Sequence, residues 1–306
     1  MIVGFHSNQL GLRGTEVALY DYAHYNEAIL GNVSYVFAPA NSDMSSLDKF
    51  KERFKDRLIL YNSFSDIVDT DLDAAYLIKA GHYDGLLFSK ARNIVHAVFN
   101  ASDKHGEVYV AVSEWLGNKF NVDYLPHIVK LPDVTENFRG QLNIPEQDIV
   151  FGRYGGEDQF DIPYLSDVIF AMAEAGRWFL LMNTKPLARQ HSRILYLNPV
   201  VDLPTKTAFI NTCDAMIHGR SEGESFGLAV AEFLHQNKPV VTNINCRDRN
   251  HIKVLKDKGF YYTTPNELYN ILGSIEKKDY QVKNLVDKFK PEVVMEKFKS
   301  LLNGGL

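Results

Sequence analysis

Glu224 and Glu232 stand eight positions apart within Ser221-Glu222-Gly223-Glu224-Ser225-Phe226-Gly227-Leu228-Ala229-Val230-Ala231-Glu232-Phe233. The segment follows a short apolar run, Ala215–His218, and enters an amphipathic stretch, Phe226–His235, so it reads as strand, turn and helix. Eight positions is a little over two helical turns, which places Glu232 inside the helix near the face above which Glu224 sits at the N-terminal mouth. A ligand at that mouth meets both carboxylates. The backbone N–H groups of Phe226, Gly227 and Leu228 suit a phosphate, and Gly227 lets the backbone approach it closely.

Other residues are less distinctive. Gly11-Leu12-Arg13-Gly14-Thr15-Glu16 follows the first apolar run and opens a helix, but lacks the G-x-G-x-x-G spacing of a dinucleotide fingerprint. Gly11, Arg13 and Gly14 therefore read equally as a tight turn and as a loop facing an acceptor or a phosphate. His96 and His6 sit near strand ends, where an imidazole serves a site or is simply half-buried; His218 precedes the glutamate segment. Lys185, in Asn183-Thr184-Lys185-Pro186, follows the apolar run Trp178–Met182 and is either a strand-end cation or an exposed loop lysine. Asp69-Thr70-Asp71 and Asp71-Leu72-Asp73 read as a solvated turn and cap, so no metal and no other cofactor is expected.

The elements that must position these groups alternate. Ile2–Phe5, Ser34–Ala38, Arg57–Tyr61, Ala74–Ile78, Asn93–Phe99 and Val108–Val112 are apolar runs separated by longer segments, the pattern of a parallel α/β sheet. Thr15–Leu30 is helical in period and stops before Gly31. Pro126, Pro132 and Pro145 mark a linker over Tyr124–Glu146, after which Ile149–Arg153, Trp178–Met182, Ile194–Leu197, Ala215–His218 and Pro239–Thr242 restart the alternation with helices at Tyr164–Ala175 and Phe226–His235. The fold class is α/β with two Rossmann-like domains, residues 1–140 and 141–280. A lysine-rich helical tail over 281–306 is expected to pack back toward the first. Two such sheets invite a ligand into a cleft at the carboxyl ends of their strands.

Composition bounds the partners. The 306 residues carry 33 Lys plus Arg against 38 Asp plus Glu, a formal net charge of −5, with no long basic run, so nucleic acid is not an expected partner. Two cysteines, Cys213 and Cys246, supply neither a disulfide framework nor a cysteine-rich zinc site. The N-terminal residues have no signal-peptide or anchor pattern, and the expected location is cytoplasmic, with peripheral membrane contact unsupported.

The glutamate segment with Phe226-Gly227 inside it, followed by Asn237-Lys238-Pro239-Val240-Val241-Thr242, resembles the retaining glycosyltransferases of GT-B architecture, in particular the glycogen-synthase-like and lipopolysaccharide-mannosyltransferase-like group. Phe151-Gly152-Arg153 resembles that family's Gly-Arg at the end of the first C-terminal strand. Val112-Ser113-Glu114 and Gly14-Thr15-Glu16 are similar to its N-terminal motifs, in the same order. The resemblance implies a nucleotide-sugar donor and a glycan or other hydroxyl acceptor. It implies Glu224 on the transferred sugar, Glu232 on the ribose and Arg153 on the diphosphate, with Ser225, Phe226, Gly227, Leu228 and Lys185 lining the donor side. His96 would lie near the acceptor as a catalytic residue beside Glu224 and Arg153. The family's lysine shortly after Gly-Arg is absent, since the chain reads Arg153-Tyr154-Gly155-Gly156-Glu157-Asp158-Gln159. A non-catalytic nucleotide-sugar or glycan-binding protein and a GT-B-like sugar-nucleotide epimerase are the competing readings.

Overall fold

The computed structural model describes residues 1–305. Chain contacts divide it into two units, Met1–Ile128 with the C-terminal residues from Lys288, and Val129–Asp287. In the first, β1 (Ile2–His6), α1 (Gly14–Ala28), β2 (Val33–Pro39), α2 (Leu47–Phe54), β3 (Leu58–Tyr61), β4 (Ala74–Lys79), β5 (Arg92–Ala97), β6 (Val108–Ala111) and α3 (Glu114–Phe120) follow one another. The six strands pair in the order β3-β2-β1-β4-β5-β6, all parallel. Every residue of β4 is buried, as expected of a strand covered on both faces.

The second unit runs β7 (Val150–Arg153), α4 (Leu165–Glu174), β8 (Trp178–Met182), β9 (Ile194–Leu197), α5 (Leu203–Thr212), β10 (Ala215–His218), β11 (Gly223–Glu224), α6 (Leu228–His235), β12 (Val240–Asn243), β13 (Asp248–Arg249), α7 (Asn250–Leu255), β14 (Phe260–Tyr262) and α8 (Pro265–Ser274). Its main sheet, β14-β12-β10-β7-β8-β9, is again all parallel, and β11 pairs only with β13. Counted from its own first strand, this is the same order as in the first sheet, that of a Rossmann half-pair with one reversal of winding. The reversal lies between β1 and β4 in one unit and between β7 and β10 in the other.

Each sheet is held by its helices. α1 buries Ala18, Leu19, Tyr22, Ala23 and Asn26, spaced for one helical face. Tyr22 lies 4.9 Å from Tyr76 of β4 and 5.3 Å from Phe298 of the last helix, α9 (Pro291–Leu302), ring centre to ring centre. In the second unit Phe151, Phe179, Leu181, Ile217 and Val241 of the strands pack with Leu165, Ile169 and Met172 of α4 and Leu268 and Leu272 of α8.

Two details differ from the periodicity. The tail over 281–306 is not one helix: a 3-10 helix over Lys283–Phe289 is separated from α9 by Lys290, whose extended backbone (ψ 146°) is what a following proline, Pro291, imposes. The helix expected from Phe226 begins instead at Leu228, because Gly227 takes a left-handed conformation (φ 90°, ψ 56°) that turns the chain before the first helical residue.

Candidate active site

In an open parallel sheet the crevice for a ligand opens at the carboxyl ends of the strands where the winding reverses. Arg153 is the last residue of β7 and His218 the last of β10, so both stand at the reversal of the second sheet. Glu224 follows in β11, whose pairing with β13 brings Gly223 opposite Asp248. Gly223 (φ 75°) admits no side chain: a Cβ there would lie 2.1 Å from the Asp248 carbonyl oxygen. This tight pairing fixes where Glu224 leaves the backbone.

The Glu224 carboxylate accepts from His218 Nε2 at 3.2 Å on one oxygen and from Arg220 Nη1 at 3.2 Å on the other. His218 is held in turn by Thr242 Oγ1, 2.8 Å from its Nδ1, and its ring centre lies 4.8 Å from that of His251. Burial pushes the Glu224 carboxyl up, but the His218 hydrogen bond and the charges of His218, Arg220 and Arg153 outweigh it and hold the group below the usual carboxylate range. The side chain keeps 21% of its surface exposed, so a charged acceptor remains open to a ligand.

Arg153 is buried (3% exposed). Its Nη1 donates to the Asn183 carbonyl at 2.7 Å and Thr184 Oγ1 at 2.6 Å, and its Nη2 donates to the Gly156 carbonyl at 2.6 Å. The guanidinium therefore staples the loop after β7 to the loop after β8. Burial lowers its pKa to about 10, while Glu224 and Asp161 pull the other way.

The N-cap residue of α6 is Gly227, which has no side chain of its own with which to cap the helix end. Ser225 and Phe226 are buried beneath it, with the Phe226 carbonyl taken by Asn250 Nδ2 at 2.7 Å. Glu232, about one turn into α6, is 4% exposed. Its Oε1 accepts from Lys206 Nζ of α5 at 3.0 Å and its Oε2 from the Tyr154 hydroxyl. Lys185 stands apart: its side chain is 62% exposed and paired with the still more exposed Asp158.

In the first unit the reversal is bounded by His6, ending β1, and Lys79, ending β4. His6 Nε2 shares a 2.8 Å hydrogen bond with the Tyr61 hydroxyl, and burial, then the charge of Lys79, lowers its pKa to about 4. Lys79 is buried against Asp84 and the Leu86 carbonyl. His96, on the neighbouring β5, bonds the Tyr76 hydroxyl through Nδ1 at 2.5 Å, and burial lowers its pKa to about 3. Arg13 is exposed at the N-cap of α1, whose first residue is Gly14. Gly11 lies against Asp43, where a Cβ would meet a carboxylate oxygen at 2.6 Å.

The second unit thus gathers Arg153, Glu224, Gly227 and Glu232 around one reversal and leaves Lys185 at the surface. Sequence reading missed Arg220, Lys206 and Tyr154. Lys206 had a signal: it lies in α5 among Thr207, Ala208, Phe209 and Ile210, all buried, and a lysine in a helix buried on every side needs a carboxylate. Among the described residues no group of three or more His, Cys, Asp or Glu comes together as metal ligands, and no helix is long and apolar enough to cross a membrane.

No protein-family model matches the chain, and no curated protein matches it in sequence. Solved structures do match over its whole length. HepE of Anabaena, in complex with UDP and glucose, superposes with a TM-score of 0.77 at 15% identity, covering 99% of this chain and 100% of that one. WaaG, a glycosyltransferase involved in lipopolysaccharide biosynthesis, gives 0.65 at 10% identity with 100% of both chains covered. Sucrose-phosphate synthase from Thermosynechococcus elongatus gives 0.65 at 12% identity, covering 99% and 98%. The chain has the fold of GT-B glycosyltransferases.

Proposed function

We propose that this chain is a retaining glycosyltransferase that moves a sugar from a nucleotide-sugar donor, bound by the second unit, to a hydroxyl of a glycan or other acceptor. The observation that carries the reading is the placement of Glu224 and Glu232 on either side of the Gly227 turn that starts α6, at the reversal of the second sheet. In the reaction the bond from the anomeric carbon to the diphosphate oxygen breaks, the acceptor oxygen bonds that carbon on the same face, and its proton passes to the departing phosphate. Charge develops on the diphosphate, where the α6 N-terminus and the buried charge of Arg153 stabilise it without reorganising. Glu224, held ionised, faces the positive charge that grows on the sugar ring. Cationic groups and a helix end suffice for this, so turnover needs no divalent metal and no other cofactor, and a chelator leaves it unchanged.

The test is release of nucleoside diphosphate from a panel of UDP-, GDP- and ADP-sugars, with UDP-glucose first because HepE, which has a similar fold, has been captured with it. Glu224→Gln keeps the shape of the side chain and is expected to cost roughly 100-fold or more in turnover with the donor still bound. Full turnover in that variant would sink the reading. A donor that binds the wild-type chain and is never consumed would favour a binding protein, and one returned as an epimer would favour an epimerase.

A further inference from the structure

Glu232 is the meeting point of three elements. Lys206 reaches it from α5 and Tyr154 from the loop after β7, each taking a different oxygen of the one carboxylate. The side chains of Lys206 and Glu232 are buried, 10% and 5% exposed, and Tyr154 is half-buried. Tyr154 is clamped, stacked on Phe233 at 5.6 Å between ring centres and edge-on to Phe209 at 5.9 Å. Burial and the facing Glu232 carboxylate push its hydroxyl far above the usual phenol range, so it stays protonated and can only donate toward Glu232. The Lys206 ammonium sits 5.6 Å from the Tyr154 ring centre, completing a closed triangle.

Two donors on two oxygens stop the carboxylate from rotating. An ionised carboxylate has about four lone-pair directions; Lys206 and Tyr154 take one on each oxygen, and those left point along fixed lines. We propose that Lys206 and Tyr154 are positioning residues that aim Glu232 at a vicinal diol, making the site selective for ribonucleotide donors. This rests on the reading of Glu232 as the residue that meets the ribose. Neither group touches the ligand; each acts through Glu232. A pair placed only to stabilise the fold carries no such demand, because buried ion pairs are often no better than apolar packing.

The experiment compares the dissociation constants of UDP and 2′,3′-dideoxy-UDP by calorimetry for the wild-type chain, Glu232→Gln, Lys206→Met and Tyr154→Phe. In the wild type the diol is expected to tighten binding roughly ten-fold or more, the worth of a hydrogen bond to a charged group. Glu232→Gln should bring that ratio close to one. Lys206→Met and Tyr154→Phe should each lower it several-fold while moving the dideoxy constant by less than about three-fold, as expected if only the aim of Glu232 is lost. Unchanged ratios in both variants would overturn the proposal, and so would an equal weakening of both ligands, which marks a structural role. A ratio of one already in the wild type would overturn the ribose reading itself. Lys206→Met leaves a buried carboxylate unpaired; if it does not fold, Tyr154→Phe, which keeps the packed ring, decides the matter.

Discussion

The two units share one strand order and place ionisable groups at the same point of it, yet they treat charge in opposite ways. At the reversal of the first sheet His6 and the nearby His96 are buried and kept neutral, and Lys79 is buried against Asp84. At the reversal of the second, Glu224 is kept charged by donors on both oxygens and stays partly open. Topology therefore decides where polar groups collect, and the balance between desolvation and nearby partners decides which of them keeps a charge for a ligand.

The largest test of this contrast removes the aromatic packing that shuts the first unit. Phe298 of α9 is fully buried, with ring centres 5.3 Å from Tyr22, 5.7 Å from Tyr76 and 6.1 Å from Phe5. Phe298→Ala is expected to cost about 3–5 kcal/mol, read by denaturant unfolding. Hydrogen exchange should show the loss in β1, β4 and α1, with the second unit's strands still protected. Equal loss in both units would erase the distinction.

Acid comes next. An unfolded histidine titrates near 6.5, and in the folded chain His6 falls to about 4 and His96 to about 3, with His127 lowered in the same direction, chiefly by burial. Between those values the unfolded chain binds more protons. The stability these groups contribute is therefore complete above about pH 6.5 and is lost as pH falls toward 4 and 3, by about 1.4 kcal/mol per pH unit for each. In the second unit His251 behaves alike, whereas Glu224, held low, gives up its contribution only below its ordinary value of 4.5. Hydrogen exchange at pH 7, 6 and 5 should show the first unit loosening first. Parallel loosening would contradict the larger share of acid sensitivity given to the first unit, where His6, His96 and His127 stand against His251 in the second.

The smallest effect is expected at Lys185. An exposed pair with Asp158 is screened by water, so Lys185→Ala should leave donor affinity and turnover within about two-fold of wild type. A loss matching that of Glu224→Gln would bring this loop into the donor site and show that the second unit gathers its cations from further away.

The alternation of apolar runs was enough to read the six strands of the first sheet and five of the six in the second, because a strand buried on both faces must be apolar throughout; the edge strand β14, only partly buried, was missed. The spacing of Glu224 and Glu232 was legible too. The start of α6 was displaced because Gly227's left-handed turn leaves no mark on hydrophobic period.

By itself, then, the order of residues determined the α/β architecture, the parallel strands and the helix that carries Glu232, all of which follow from local period and punctuation. Only the tertiary structure decided which charges face one another. Lys206 lies twenty-six residues from Glu232 and Tyr154 seventy-eight. Lys185, close to Arg153 along the folded loops, is nonetheless left in water. The physical reason is that a charge is priced by its surroundings: the same side chain is cheap at a surface and costly in a core, and no stretch of sequence states how much water it will keep.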